Sequence, residues 1–124
     1  MKLPVMTCAE TGRYAEEYTV RYLRLSGYKI LSRNYSVRNI GELDIVAEKY
    51  GMIYSIEVKG RRQDIRFAGH EGLVPGRKLR RIMLTTSMFL DNTGRDHQNC
   101  KIVMAFVHIA ANDFHNKIMF ITLK

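Results

Sequence analysis

Apolar and polar positions alternate with two different periods along this chain, and the period changes mark its elements. Thr7-Cys-Ala-Glu10 has the form of a capping box, a Thr whose hydroxyl caps a helix and a Glu three positions on that reaches back. Behind it Ala15, Tyr18, Tyr22 and Leu25 recur at helical spacing, and Gly27 can close the helix in a left-handed conformation. The pattern predicts a helix over about residues 8–26 with the Tyr18–Tyr22 side facing the core. Residues 28–38, 42–48 and 53–59 then alternate with a period of two and read as three strands. Gly60 to Gly76 holds four glycines, a proline and no period, which predicts a long, mobile, basic loop. Leu79, Ile82, Met83, Thr86, Phe89 and Leu90 mark a second helix that ends near Asn92–Gly94, and CKIVMAFVHIA and KIMFITLK are two final strands. The predicted order is α-β-β-β-α-β-β in one domain over residues 1–124.

The stretch GELDIVAEKYGMIYSIEVKGRR, from Gly41 to Arg62, sets charge inside two of the most strand-like runs. With Tyr50–Gly51 as a hairpin tip, residue 49 faces 52, which sets Asp44 opposite Glu57 and Glu42 opposite Lys59. Leu43 and Ile45 then meet Val58 and Ile56 on the other side, and a slip of one residue would bury Asp44 against Ile56. Two facing carboxylates repel unless a proton or a cation lies between them. Oxygen-only donors without His or Cys suit Mg²⁺ or Mn²⁺ rather than zinc. Lys59 on the same face could orient a water or steady charge on a phosphate. The same residues also fit a plain Glu–Lys pair on a solvated sheet face.

Charge narrows the class of partner. The 124-residue chain carries a net +8 with pI about 9.7, and the 22 residues from Gly60 to Arg81 hold six Arg and one Lys against Asp64 and Glu71. That excess points to a polyanion, nucleic acid first; a solvated loop that aids solubility is the plainer alternative. No apolar run approaches a membrane span and the N-terminus lacks the apolar core of a signal peptide. Cys8 and Cys100, in no CxxC arrangement, read better as free thiols of a cytoplasmic protein than as one long-range disulfide.

Asp44 followed by Glu57-Val58-Lys59 resembles the Asp…Glu-x-Lys signature of the PD-(D/E)xK nucleases. TGRYAEEYTVRYLRLSGYKILSRNY, GELDIVA and IEVKGRR together are similar to the YraN family of small bacterial proteins, relatives of archaeal Holliday-junction resolvases. The resemblance covers about residues 11 to 83. It implies a restriction-endonuclease-like, three-layer α/β fold with a central mixed sheet flanked by helices. It also implies metal ligands at Asp44, Glu57 and Glu16, a catalytic lysine at Lys59, and a supporting Lys78 at the start of the second helix. Two positions depart from the family pattern: Ala15 stands where members often have Gly, and Thr19 where they often have Ala. The expectation is a Mg²⁺- or Mn²⁺-dependent deoxyribonuclease, with branched or single-strand-containing DNA as the substrate by analogy. Arg61, Arg62, Lys78, Arg80 and Arg81 are the expected nucleic-acid contacts, and a homodimer is compatible with the sequence. The alternatives are a non-catalytic nucleic-acid-binding module on the same fold, or a structural protein whose basic loop meets an acidic partner.

Overall fold

The computed structural model describes residues 6–62, 74–110 and 115–124. Thr7 caps the first helix, α1 (Cys8–Leu25): its hydroxyl oxygen accepts from the Glu10 amide at 3.1 Å and its hydroxyl donates to the Glu10 carboxylate at 3.1 Å. The helix ends at Ser26, and Gly27 at φ +89° turns the chain so that the Tyr28 amide donates back to the Leu23 carbonyl. Its buried stripe is Ala15, Thr19, Val20 and Leu23. This corrects the tyrosine-based reading: Tyr22 is 42% exposed and Leu25 90%. Thr19 takes the inward position because its hydroxyl donates to the Ala15 carbonyl at 2.8 Å, so no polar atom is stranded.

Three strands follow in a meander, β1 (Lys29–Val37), β2 (Gly41–Lys49) and β3 (Met52–Arg62). Tyr50 and Gly51, at φ +52° and +78°, form the tight turn between β2 and β3 that the hairpin reading placed there. Helix α2 (Gly76–Asn92) carries the chain across the sheet to β4 (Cys100–Ile109), which lies parallel to β3, and β5 (Lys117–Thr122) returns antiparallel. The five strands lie in the order β1-β2-β3-β4-β5, and the α-β-β-β-α-β-β sequence of elements matches the expectation. Of the predicted loop, Gly60 to Arg62 belong to β3 and Gly76 opens α2, while residues 63–73 lie outside the described residues.

One helix covers each face of the sheet. Val20 and Leu23 of α1 pack on Ile45, Ala47, Ile56, Val103 and Ala105. On the opposite face Ile82, Phe89 and Leu90 of α2 pack on Leu43, Val46, Ile53 and Ile102. Neighbouring inward residues such as Ile45 and Val46, or Ile102 and Val103, face opposite helices, as a sheet covered on both sides requires. The result is a three-layer α/β architecture. Cys8 is exposed, Cys100 is partly buried, and both are free thiols. Among the described residues no helix is long and apolar enough to cross a membrane.

Candidate functional site

Strands β2 and β3 pair from Lys49↔Met52 to Ile45↔Ile56, in the register read from the hairpin tip. There the ladder stops. The facing pairs Asp44/Glu57 and Glu42/Lys59 would be the next ones, but the strands part before reaching them. Asp44 is the reason: its Oδ2 accepts a hydrogen bond from the Val58 amide at 2.8 Å, in the place of a backbone carbonyl of β2. A side-chain acceptor on a backbone N–H satisfies the donor while letting the two backbones separate. The divergence also corrects the position of Leu43, which packs on the α2 side while Ile45 and Ile56 stay on the α1 side.

Glu57 lies in this fork. It is 5% exposed, and its Oε1 is buried without a hydrogen-bond partner. An orphaned buried oxygen costs about 1–3 kcal/mol, more if charged. Burial first, then the charge of Asp44 and a hydrogen bond between the two carboxyl groups, push Glu57 up to about 8; Lys78 opposes the shift. Without a bound cation these effects favour the protonated form of Glu57. Glu16 joins from α1, its carboxyl raised by burial, by Asp44 and by Glu42, with Arg33 pulling the other way. The stripe Ala15–Thr19–Leu23 makes this reach possible, because Glu16 sits at the border of the buried face. Asp44 is the centre of the cluster, in contact with an acid on each side. Among the described residues, no three His, Cys, Asp or Glu side chains converge as a finished metal centre would.

Lys59 is exposed on β3, and the ammonium whose charge acts on Glu57 is Lys78, from the first turn of α2. Lys78 also lines an open groove of about 720 Å³ with Arg77, Arg80 and Arg81 on one side and Gly41 and Glu42 on the other. A Cβ at Gly41 would stand 2.7 Å from the Thr85 hydroxyl, so the groove wall is as close to α2 as a side-chain-free residue allows. Arg61 and Arg62 are not loop residues: they end β3, opposite His108 and Ile109 of β4, and do not line the groove. Two participants were not picked out from sequence. Arg77 stands beside Lys78 in the groove, and Arg33, which ion-pairs with Glu17 at 2.7 Å, is the cation nearest in effect to Glu16. Arg77 was legible as one more charge of the basic segment. Arg33 was not, because the left-handed Asn34, at φ +54°, breaks the alternation that assigns faces along β1.

Fold and cluster together define a small three-layer α/β protein with a carboxylate cluster where two strands part, beside a basic groove. The model of the uncharacterised protein family UPF0102 matches residues 15–112, and the chain belongs to that family. It is 43% identical over 86 residues to a UPF0102 protein of Syntrophomonas wolfei, covering 69% of this chain and 73% of the relative. A UPF0102 protein of Thermus thermophilus is 38% identical over 104 residues, 83% of this chain and 88% of the relative. One from Persephonella marina is 35% identical over 107 residues, 86% and 89% of the two chains. The matched span contains Glu16, Asp44, Glu57, Lys59 and Lys78.

Proposed function

We propose that this protein is a Mg²⁺- or Mn²⁺-dependent nuclease that hydrolyses phosphodiester bonds in nucleic acid, DNA being the favoured substrate. The observation that carries the reading is the buried, unpartnered Oε1 of Glu57 beside Asp44, close to a groove of four basic side chains. A hard divalent cation is the ligand such an oxygen fits, since its partner Asp44 is a second carboxyl group. Asp44, Glu57 and Glu16 would hold the ion, which when bound would polarise a phosphoryl oxygen and sharpen a water as nucleophile.

The chain's own groups divide the remaining work. Asp44 keeps one oxygen on the Val58 amide, which fixes its carboxylate plane and leaves the other oxygen for the cluster. Glu57 must release its proton before it can act as an ionised ligand, and Lys78 favours that release. Lys59, two residues along β3 from Glu57, can hold a water or take charge from the scissile phosphate. Arg77, Lys78, Arg80 and Arg81 can position the phosphates of a strand in the groove without reading its sequence.

A second reading, a binding module on the same fold that does not turn over, is favoured by one observation. The surroundings of Glu57 favour its protonated form, and a proton there relieves the repulsion from Asp44 without any cation. One experiment separates them. Asp44→Asn keeps an acceptor for the Val58 amide but loses the charge. Calorimetric titration should show Mn²⁺ binding weakened about tenfold or more, since even outer partners of metal ligands cost that much. With Mn²⁺ and fork, flap, four-way-junction and single-stranded DNA, Lys59→Ala should cut roughly 10²–10⁴-fold more slowly than wild type. Wild type that binds these substrates and cuts none of them would leave the binding module.

A further inference from the structure

A second concavity, of about 350 Å³, opens on the α1 side of the sheet, between the last turns of α1, the β2–β3 hairpin and β5. Ile56 lines it, whereas its neighbour Glu57 belongs to the other side of β3, so the pocket is separate from the carboxylate cluster. Its walls are aromatic. Tyr22 and Phe120 form one ring pair, centroids 5.6 Å apart and tilted by 40°, and Tyr28 and Tyr54 form another at 5.4 Å in an edge-on arrangement. Tyr22 is 42% exposed and Phe120 37%, unusual openness for two rings packed on each other. Among the described residues Lys49 is the single charged one lining the pocket. Its ammonium lies 4.9 Å from the Tyr28 ring centre and 5.5 Å from that of Tyr50, which is 97% exposed, and it donates to the Ser26 carbonyl at 2.6 Å. That contact uses one of its three N–H donors.

The chemistry of the lining selects its occupant. An organic cation, the usual guest of an aromatic cage, would meet the Lys49 ammonium already seated over the rings. A purely aliphatic guest would make no use of the remaining N–H donors of that ammonium. Burial, then the neighbouring Tyr54 and Tyr22, hold the Tyr28 phenol above its ordinary range, so it stays a neutral donor and acceptor. A planar π-system with polar edges and an attached anion uses all three features: ring faces, hydroxyls and ammonium. We infer that this pocket holds one unpaired base of a single nucleic-acid strand, stacked on Tyr22 and Phe120 with its phosphate on Lys49. The inference rests on nucleic acid as the partner in the reading above, but not on cleavage. It narrows the substrate to one that offers an unstacked base, which an intact duplex does not.

The test is fluorescence anisotropy with the full chain in EDTA, where no metal-dependent cutting can intrude. The probes are a labelled single-stranded oligonucleotide of about twelve residues, the same strand built of abasic sites, and a duplex of equal length. Tyr22→Ala should weaken binding of the intact strand about tenfold, the effect of one lost stacking contact. Tyr22→Phe should bind as wild type does, duplex affinity should be the same for all three proteins, and the abasic strand should not distinguish wild type from Tyr22→Ala. Equal affinity of wild type and Tyr22→Ala for the intact strand overturns the inference, as does an equal loss on strand and duplex. So does a free deoxynucleoside monophosphate that displaces the strand at matching concentration, because the site would then serve free nucleotides. Stacking-dependent binding with no cleavage in Mn²⁺ would remove the nuclease reading and leave the pocket; cleavage without it would do the reverse.

Discussion

Glu57 concentrates the energetics of the site in one proton. Burial first, then Asp44, raises its carboxyl from the usual 4.5 to about 8. Between those values the folded, metal-free chain holds a proton that the unfolded chain has released. Stability from this source is therefore complete below about 4.5 and is lost as pH rises through about 8. Glu57→Gln is neutral throughout and should escape the loss. In EDTA its melting temperature should match wild type near pH 5 and exceed it near pH 9, and a wild-type melting temperature no lower than the variant's near pH 9 would mean that Glu57 ionises freely. The same residue shows what a sequence can and cannot disclose. Asp44, Glu57 and Glu16 were all identifiable as a potential cluster from residue type, spacing and resemblance, and in the fold Asp44 meets Glu57 and Glu16 separately. That Asp44 would spend an oxygen on the Val58 amide was not, because a pairing rule assumes that a ladder continues until its turn of phrase, the alternation, runs out.

At the level of elements, the position of Glu16 depends on how closely α1 lies on β3. A Cβ at Gly60 would stand 2.5 Å from the Ala15 Cβ and 3.2 Å from the Thr11 carbonyl oxygen, so the helix rests directly on that glycine. Gly60→Ala should lift α1, draw Glu16 away from Asp44 and destabilise the fold by about 1–3 kcal/mol, as overpacking does. Ala15→Gly added to it should recover part of the loss. It removes the closer contact but not the carbonyl one, and a helical glycine itself costs roughly 0.5–1 kcal/mol. Urea unfolding of the three proteins checks this; Gly60→Ala as stable as wild type would mean that α1 is not seated there. The extents of the elements were legible wherever local chemistry sets them: the capping box at Thr7, Gly27 after α1, and the tight turn at Tyr50–Gly51. The face that α1 buries was misread, since two large aromatic rings were weighted as core ahead of a small hydroxylated residue. Only the back-bond from Thr19 to the Ala15 carbonyl lets the threonine go inward. The ends of β3 and the start of α2 were placed too far apart because glycines at 60 and 76 look like loop punctuation, whereas Gly60 serves a close approach.

For the whole molecule, charge is the property that reaches beyond the fold. The net +8 is carried in part by Arg77, Lys78, Arg80 and Arg81 around one groove, next to a cluster that is acidic. In the proposed function a polyanion would be drawn to this groove, while ionised carboxylates beside it would repel it until neutralised. Replacing Arg80 and Arg81 with Gln should weaken binding similarly across DNA sequences. The slope of log K against log salt should fall by roughly 0.7–0.9 for each phosphate contact removed. An unchanged slope would assign the charge of α2 to something other than nucleic acid.

The tight turn at Tyr50–Gly51 has a consequence for how the acidic pair is assembled. Asp44 and Glu57 are only thirteen positions apart along the chain, whereas Ile53 and Cys100, which open the parallel pairing of β3 with β4, are forty-seven apart. Closing the shorter loop costs about 1 kcal/mol less chain entropy, by the logarithmic dependence on length. The two mutually repelling groups therefore meet through the less costly of the two closures, and the hairpin that joins them does not wait on the long connection that delivers Lys78.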